Sequence, residues 1–195
     1  MKKILLSTAL TVSFATSATA QEAPSVNWGG FYLGGTLNKA SGTQDYVNPD
    51  FHYELDGISS LGGFVGYNIQ RSRYVYGVEL GVTGAGSGLS PEGFLGEDHG
   101  NITDIKARAG IAVNKALFYG VLGYSKTSYD NNVNPAVTMD GISYGVGVDY
   151  MINKKLFIGT EFLIRDIEGP GNVSQPLQTR ETKIKSLSIR IGWKF

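Results

Sequence analysis

Between residues 74 and 83 the chain is apolar at every second position. Tyr74, Tyr76, Val78, Leu80 and Val82 alternate with Val75, Gly77, Glu79, Gly81 and Thr83. Successive strand residues point to opposite faces, so this period predicts a strand with one apolar and one mostly small or polar side. The pattern returns at Ile142, Tyr144, Val146, Val148, Tyr150 and Ile152. It returns again at Leu187, Ile189, Ile191, Trp193 and Phe195. Further strands are predicted over 59–69, 105–113 and 156–165. Two more, over 28–38 and 117–127, leave their facing open: glycine blurs the first, and Phe118, Leu122 and Tyr124 make both faces of the second apolar. That makes eight strands, and helical periodicity is absent.

The connections carry the topology. Short polar turns are predicted at 70–73, 114–115 and 153–155. Long Gly-, Pro-, Asn- and Asp-rich loops are predicted over 39–57, 84–101, 128–140 and 167–181. Long and short connections alternate, as in an outer-membrane barrel with short periplasmic turns and longer external loops. The fold expected is an all-β, eight-stranded, antiparallel up-and-down transmembrane β-barrel. A soluble barrel or sandwich has the same alternation with its apolar face inside. Three features favour the lipid-facing arrangement. The inner faces carry Gly, Ser and charged residues, which are unsuited to a dry core. Aromatic residues gather at strand ends (Tyr67, Tyr74, Tyr76, Tyr119, Tyr150, Trp193, Phe195), as interfacial girdles do. The chain closes on a strand ending in Phe195.

Composition narrows the chemistry. The 27 Gly, 11 Tyr and 9 Phe are poor helix material and suit close-packed strands. With no cysteine there is no disulfide framework or thiolate metal site, and His52 and His99 alone offer little to a metal. No cofactor is expected. The balanced charge argues against nucleic acid as a partner. Residues 1–20 read as a secretory signal peptide: Lys2 and Lys3, an uncharged stretch from Ile4, then Ala18-Thr19-Ala20, with cleavage expected after Ala20. The domains expected are therefore the leader, 1–20, and the barrel, 21–195. No peptidoglycan-binding domain is expected beyond the last strand.

The opening Trp28-Gly29-Gly30-Phe31-Tyr32-Leu33-Gly34-Gly35 resembles the start of small porin-family outer-membrane proteins, which include opacity-like surface antigens of alphaproteobacteria. The end, Ile189 to Phe195, resembles the Phe-terminated strand that the barrel-assembly machinery recognises, with Trp193 and Phe195 as its signal. The resemblance implies outer-membrane location and barrel fold. It also implies a structural, antigenic or adhesive surface role, or a narrow pore.

Counted from the short-turn end, Glu79, Arg108, Glu161 and Arg190 each lie about five residues up their strands, all on the inward parity. At ~3.3 Å per residue and ~40° tilt this layer lies about 13 Å above the rim. Lys106, Asp149 and Arg165 are expected in neighbouring layers. An internal salt-bridge plug is the expected consequence, and a gated ion path the alternative. A lipid-modifying enzyme is the remote third reading, with Asp50, His52 and His99 in loops and no specific motif. No catalytic residue is assigned. Gly84-Ala85-Gly86-Ser87-Gly88 lacks the Lys and helix of a phosphate loop. Lys183 and Lys185, beside Arg180, are expected on the outer rim, where membrane lipid and lipopolysaccharide phosphates lie. The external loops are the place for host or surface ligands.

Overall fold

The computed structural model describes residues 26–47, 51–84, 98–130, 137–172 and 175–195. The expected leader and its Ala20 boundary lie outside the described residues. The strands are β1 (Gly30–Val47), β2 (Phe51–Arg71), β3 (Tyr74–Thr83), β4 (Asp98–His99 and Ile102–Val113), β5 (Ala116–Asp130), β6 (Val137–Met151), β7 (Leu156–Asn172) and β8 (Gln175–Lys194). Each is antiparallel to the next, and β1 pairs with β8 from Tyr32↔Lys194 to Val47↔Thr179. The sheet therefore closes into an eight-stranded barrel. Closure matters because an open edge leaves backbone donors and acceptors unsatisfied in lipid.

The short turns form where expected. Two are two-residue hairpins, with Ser72 at φ 55° and Asn114 at φ 52°, the left-handed conformation such turns require. In the third, Asn153 Oδ1 accepts the N–H groups of Lys155 and Leu156, both at 2.9 Å. At the other end the strands run well past the expected limits. Most of 39–57, 128–140 and 167–181 is paired strand, with Tyr46↔Phe51 and Asn172↔Gln175 the last rungs of two hairpins. Glycine and polar content suggested loops there, but these residues keep an in/out alternation, with Met139 and Ile167 inside and Thr138 and Glu168 outside. One β-bulge opposes Ala40–Gly42 of β1 to the longer Leu55–Ile58 stretch of β2. The extra residue reverses the parity of β2, so Leu55 points inward although Phe64 and Ser60 do so below it.

The outer wall is apolar over a belt. On β8 it runs from Leu187 to Phe195, about 20 Å along the barrel axis at ~3.3 Å per residue and ~40° tilt. Tyr67, Tyr74, Tyr76, Tyr150, Trp193 and Phe195 are exposed toward its short-turn end. Tyr119 is not among them: it points inward and is buried, as are Leu117 and Val121 of the same face of β5. Phe118, Leu122 and Tyr124 face out, and on β1 Phe31, Leu33 and Leu37 do so, which settles the two open facings. The belt stops at one level on every strand. The next outward positions above it are Lys39, Ser59, Gly84, Thr103, Lys126, Asp140, Asp166 and Lys185.

The interior corrects a second expectation. It does hold dry layers. Trp28, Tyr32, Val75, Leu117, Tyr119, Met151 and Phe157 form one cluster toward the short-turn end, which Phe64 and Leu163 extend upward beside the charged residues. Ala40, Leu55, Ile102, Val137, Met139, Ile167 and Ile184 form another at the level of the polar ring. The lower layer is made possible by inward glycines. The rings of Tyr32, Tyr119 and Phe157 lie over Gly66, Gly147 and Gly192 of adjacent strands, where any Cβ would collide with them.

Candidate functional site

Between the two apolar layers lies an ionic network to which every strand but β2 contributes a hydrogen-bonding or charged group. Alternation aims Glu79, Lys106, Arg108, Asp149, Glu161 and Arg190 inward, and all six are buried. Arg190 is its hub. Its Nη2 is 2.6 Å from Glu79 Oε2, its Nη1 2.8 Å from Glu161 Oε2 and its Nε 3.4 Å from Asp149 Oδ1. Lys106 Nζ bridges Glu79 and Glu161 at 2.9 and 2.5 Å. Arg108 reaches Asp149 at 2.8 Å and Glu79 at 3.4 Å.

Two tyrosines complete it. Tyr32 donates to Glu79 at 3.0 Å while accepting from Arg108 at 3.1 Å, and Tyr119 donates to Glu161 at 3.2 Å. The Arg108 guanidinium stacks 3.8 Å from the Tyr119 ring centroid, and Arg190 lies 4.2 Å from that of Phe64 on β2. Burying one ion costs several kcal/mol, which is offset only when partners and hydrogen bonds surround it. Here three carboxylates meet three cations, and the network is formally neutral.

The structure thus joins six of the seven lumenal residues named from sequence. Lys106 and Asp149 belong to the same network as the other four rather than to layers of their own. Arg165 stands apart, in a bidentate pair with Asp104 at 2.9 and 2.6 Å, which Ser125 (2.6 Å, to Asp104) and Ser186 (2.9 Å, from Arg165) extend. Asp104 was legible in principle, because it shares the parity of Lys106 and Arg108. Tyr32 and Tyr119 were not, since they stand in the two segments whose facing alternation left open. Little space remains around the network. A cavity of about 10 Å³ lies on its Trp28 side and one of about 20 Å³ on its Asp104 side. A single water needs ~10–15 Å³.

Other candidates resolve differently. Arg180, expected on the outer rim, is buried on the inward face of β8. Lys183 and Lys185 do face outward, Lys183 being 3.4 Å from Asp166. His52 is exposed above the belt with Nδ1 2.5 Å from Asp45 Oδ1. The His99 backbone pairs with Tyr129, and Asp50 lies outside the described residues. Also above the belt, four carboxylates fall in one cross-strand row, through the partners Asp45↔Glu181, Glu181↔Glu168 and Glu168↔Asp140.

Comparison with known proteins agrees with this architecture. The family described as outer membrane protein beta-barrel domain matches residues 6–195. A 22 kDa outer membrane protein of Rhizobium leguminosarum bv. viciae is 29% identical over 184 residues, covering 90% of this chain and 83% of the relative. Among solved structures, Neisserial surface protein A superposes with a TM-score of 0.53 at 14% identity, over 85% of this chain and 97% of its own. OprG of Pseudomonas aeruginosa gives 0.51 at 16%, over 90% and 99%. At such identities the two structures speak for the fold alone.

Proposed function

The chain belongs to the outer-membrane β-barrel family, and from that footing we propose that it is a closed barrel whose work is done by its walls and outer hairpins, not by a pore. The observation that carries this reading is the stacking of three interior layers. An aromatic layer, a neutral ionic network and a second apolar layer follow one another along the axis. An ion entering the lumen would have to displace Arg190 or Lys106 from two or three partners each, in surroundings with almost no water to replace them. The hairpins above the belt are then the functional surface, stabilising the envelope and offering the acidic row to surface or host ligands. No catalytic role or cofactor enters this reading.

Planar-bilayer recording of the purified protein tests it. The expected outcome is no stable open conductance, with conductance appearing in Arg190→Ala or Glu79→Ala protein that still inserts. A steady conductance in the unaltered protein would make it a narrow pore instead. Cleavage after Ala20 belongs to the same proposal, and the N-terminal residue of protein recovered from outer membrane checks it.

A further inference from the structure

The lipid-facing wall is not uniformly convex. A groove of about 440 Å³ crosses β5 to β8, lined mainly by Phe118, Val146, Val148, Thr160, Phe162 and Leu187. Strand register explains its shape. Leu187, Phe162, Val146 and Gly120 are successive partners in one row, and Ile189, Thr160, Val148 and Phe118 in the next. Small outward residues, Val146, Val148 and Thr160, floor the groove between the larger Phe118, Phe162 and Leu187. Because the strands tilt by ~40°, a row perpendicular to them runs obliquely into the bilayer. Three interstrand steps of ~4.8 Å make it about 14 Å long, and at that tilt it descends about 9 Å into one leaflet of the ~30 Å hydrocarbon core.

The upper end of this groove is at Leu187, the last apolar residue of β8 below the polar ring. Lys185 is the next outward residue on β8, and Lys39 is the cross-strand partner of Leu187 on β1. Lys39 and Lys185 are diagonal neighbours, roughly 7–8 Å apart at Cα. Both are exposed, and neither enters an ion pair among the described residues, whereas Lys183 has Asp166. The hollow beside and above them is lined by Asp45, Asp140, Asp166, Glu168 and Glu181 with Lys183, a net-negative surface that disfavours an anion placed any higher. A cationic pair thus caps an apolar groove that descends obliquely into one leaflet, with a carboxylate-rich hollow on the other side of the pair.

From this arrangement we infer a specific site for lipid A, the phosphorylated, multiply acylated lipid of the outer leaflet. One acyl chain lies in the β5–β8 groove, and one phosphate sits on Lys39 and Lys185. The inference needs only the orientation of the belt and stands whether or not the lumen conducts.

The test is native mass spectrometry of the full-length processed protein in detergent, titrated with bisphosphorylated hexa-acylated lipid A. Dephosphorylated lipid A, its deacylated phosphosugar and phosphatidylglycerol serve as comparisons. The unaltered protein should retain lipid A over all three. Lys39→Ala with Lys185→Ala, which removes both cations facing the phosphate, should weaken retention by on the order of tenfold or more. Thr160→Trp should fill the groove and remove the preference for the acylated probe, and Lys154→Ala at the opposite end should change nothing. Altered gel mobility of unboiled samples confirms that each variant is folded. Equal retention by all variants, equal binding of the deacylated probe, or equal binding of phosphatidylglycerol would each overturn the site.

Discussion

The same eight strands build two sections that obey opposite rules. Within the belt, Val146, Ile189 and Phe162 face outward, while Glu79, Arg108 and Arg190 are held inside. From the ring of Lys39, Asp140, Asp166 and Lys185 upward, Met139, Ile167 and Ile184 are inside, and Lys183 and Glu168 face out. Neither strand direction nor period changes at that level. What changes is the medium outside. Lipid tolerates apolar walls and forces the polar residues to satisfy one another within, whereas water permits a polar wall and rewards an apolar interior. The level at which parity of character reverses therefore marks the outer edge of the hydrocarbon.

This contrast can be broken by placing a charge on the wrong face of either section. The largest effects should come from Arg190→Ala, which strands carboxylates in the network, and from Met139→Asp, which buries a charge without a partner. Each should cost about 3–5 kcal/mol in urea unfolding from lipid vesicles. Thr138→Asp, one residue from Met139 but outward, should stay within ~0.5 kcal/mol. Within the belt the expensive face is the other one, and Ile189→Arg should cost about 2–4 kcal/mol. Trimming the upper core with Ile184→Val should cost about 0.5–1.5 kcal/mol. The smallest effect has the opposite sign: Glu168→Lys puts a cation between Asp140 and Glu181 and should stabilise by up to ~1 kcal/mol. If Met139→Asp and Thr138→Asp behave alike, the upper section is not a dry core.

The barrel, its strand count and most of its inward charges were legible because period two is imprinted wherever lipid lies outside. Glu79, Arg108, Glu161 and Arg190 all fall on inward parity at the same count from the short-turn end, so their meeting followed from counting. The upper section was read as loop because its outward residues are polar and its inward ones few, and a bulge shifts the phase in β2. Tyr119 was misplaced because β5 is apolar on both faces there. Its ring needs Gly147 opposite, a pairing set by register that no local pattern contains. The upper apolar layer was missed for the same reason: its members come from six strands, one or two from each.

Arg190 also bears on the order in which the barrel is made. It lies on β8, the strand that completes the circle against β1. Without β8, Glu79, Asp149 and Glu161 would face only Lys106 and Arg108, and the interior would carry one uncompensated negative charge. Closing the seam and neutralising the lumen are therefore one event. A sheet without its last strand carries an electrostatic penalty that the closed barrel does not.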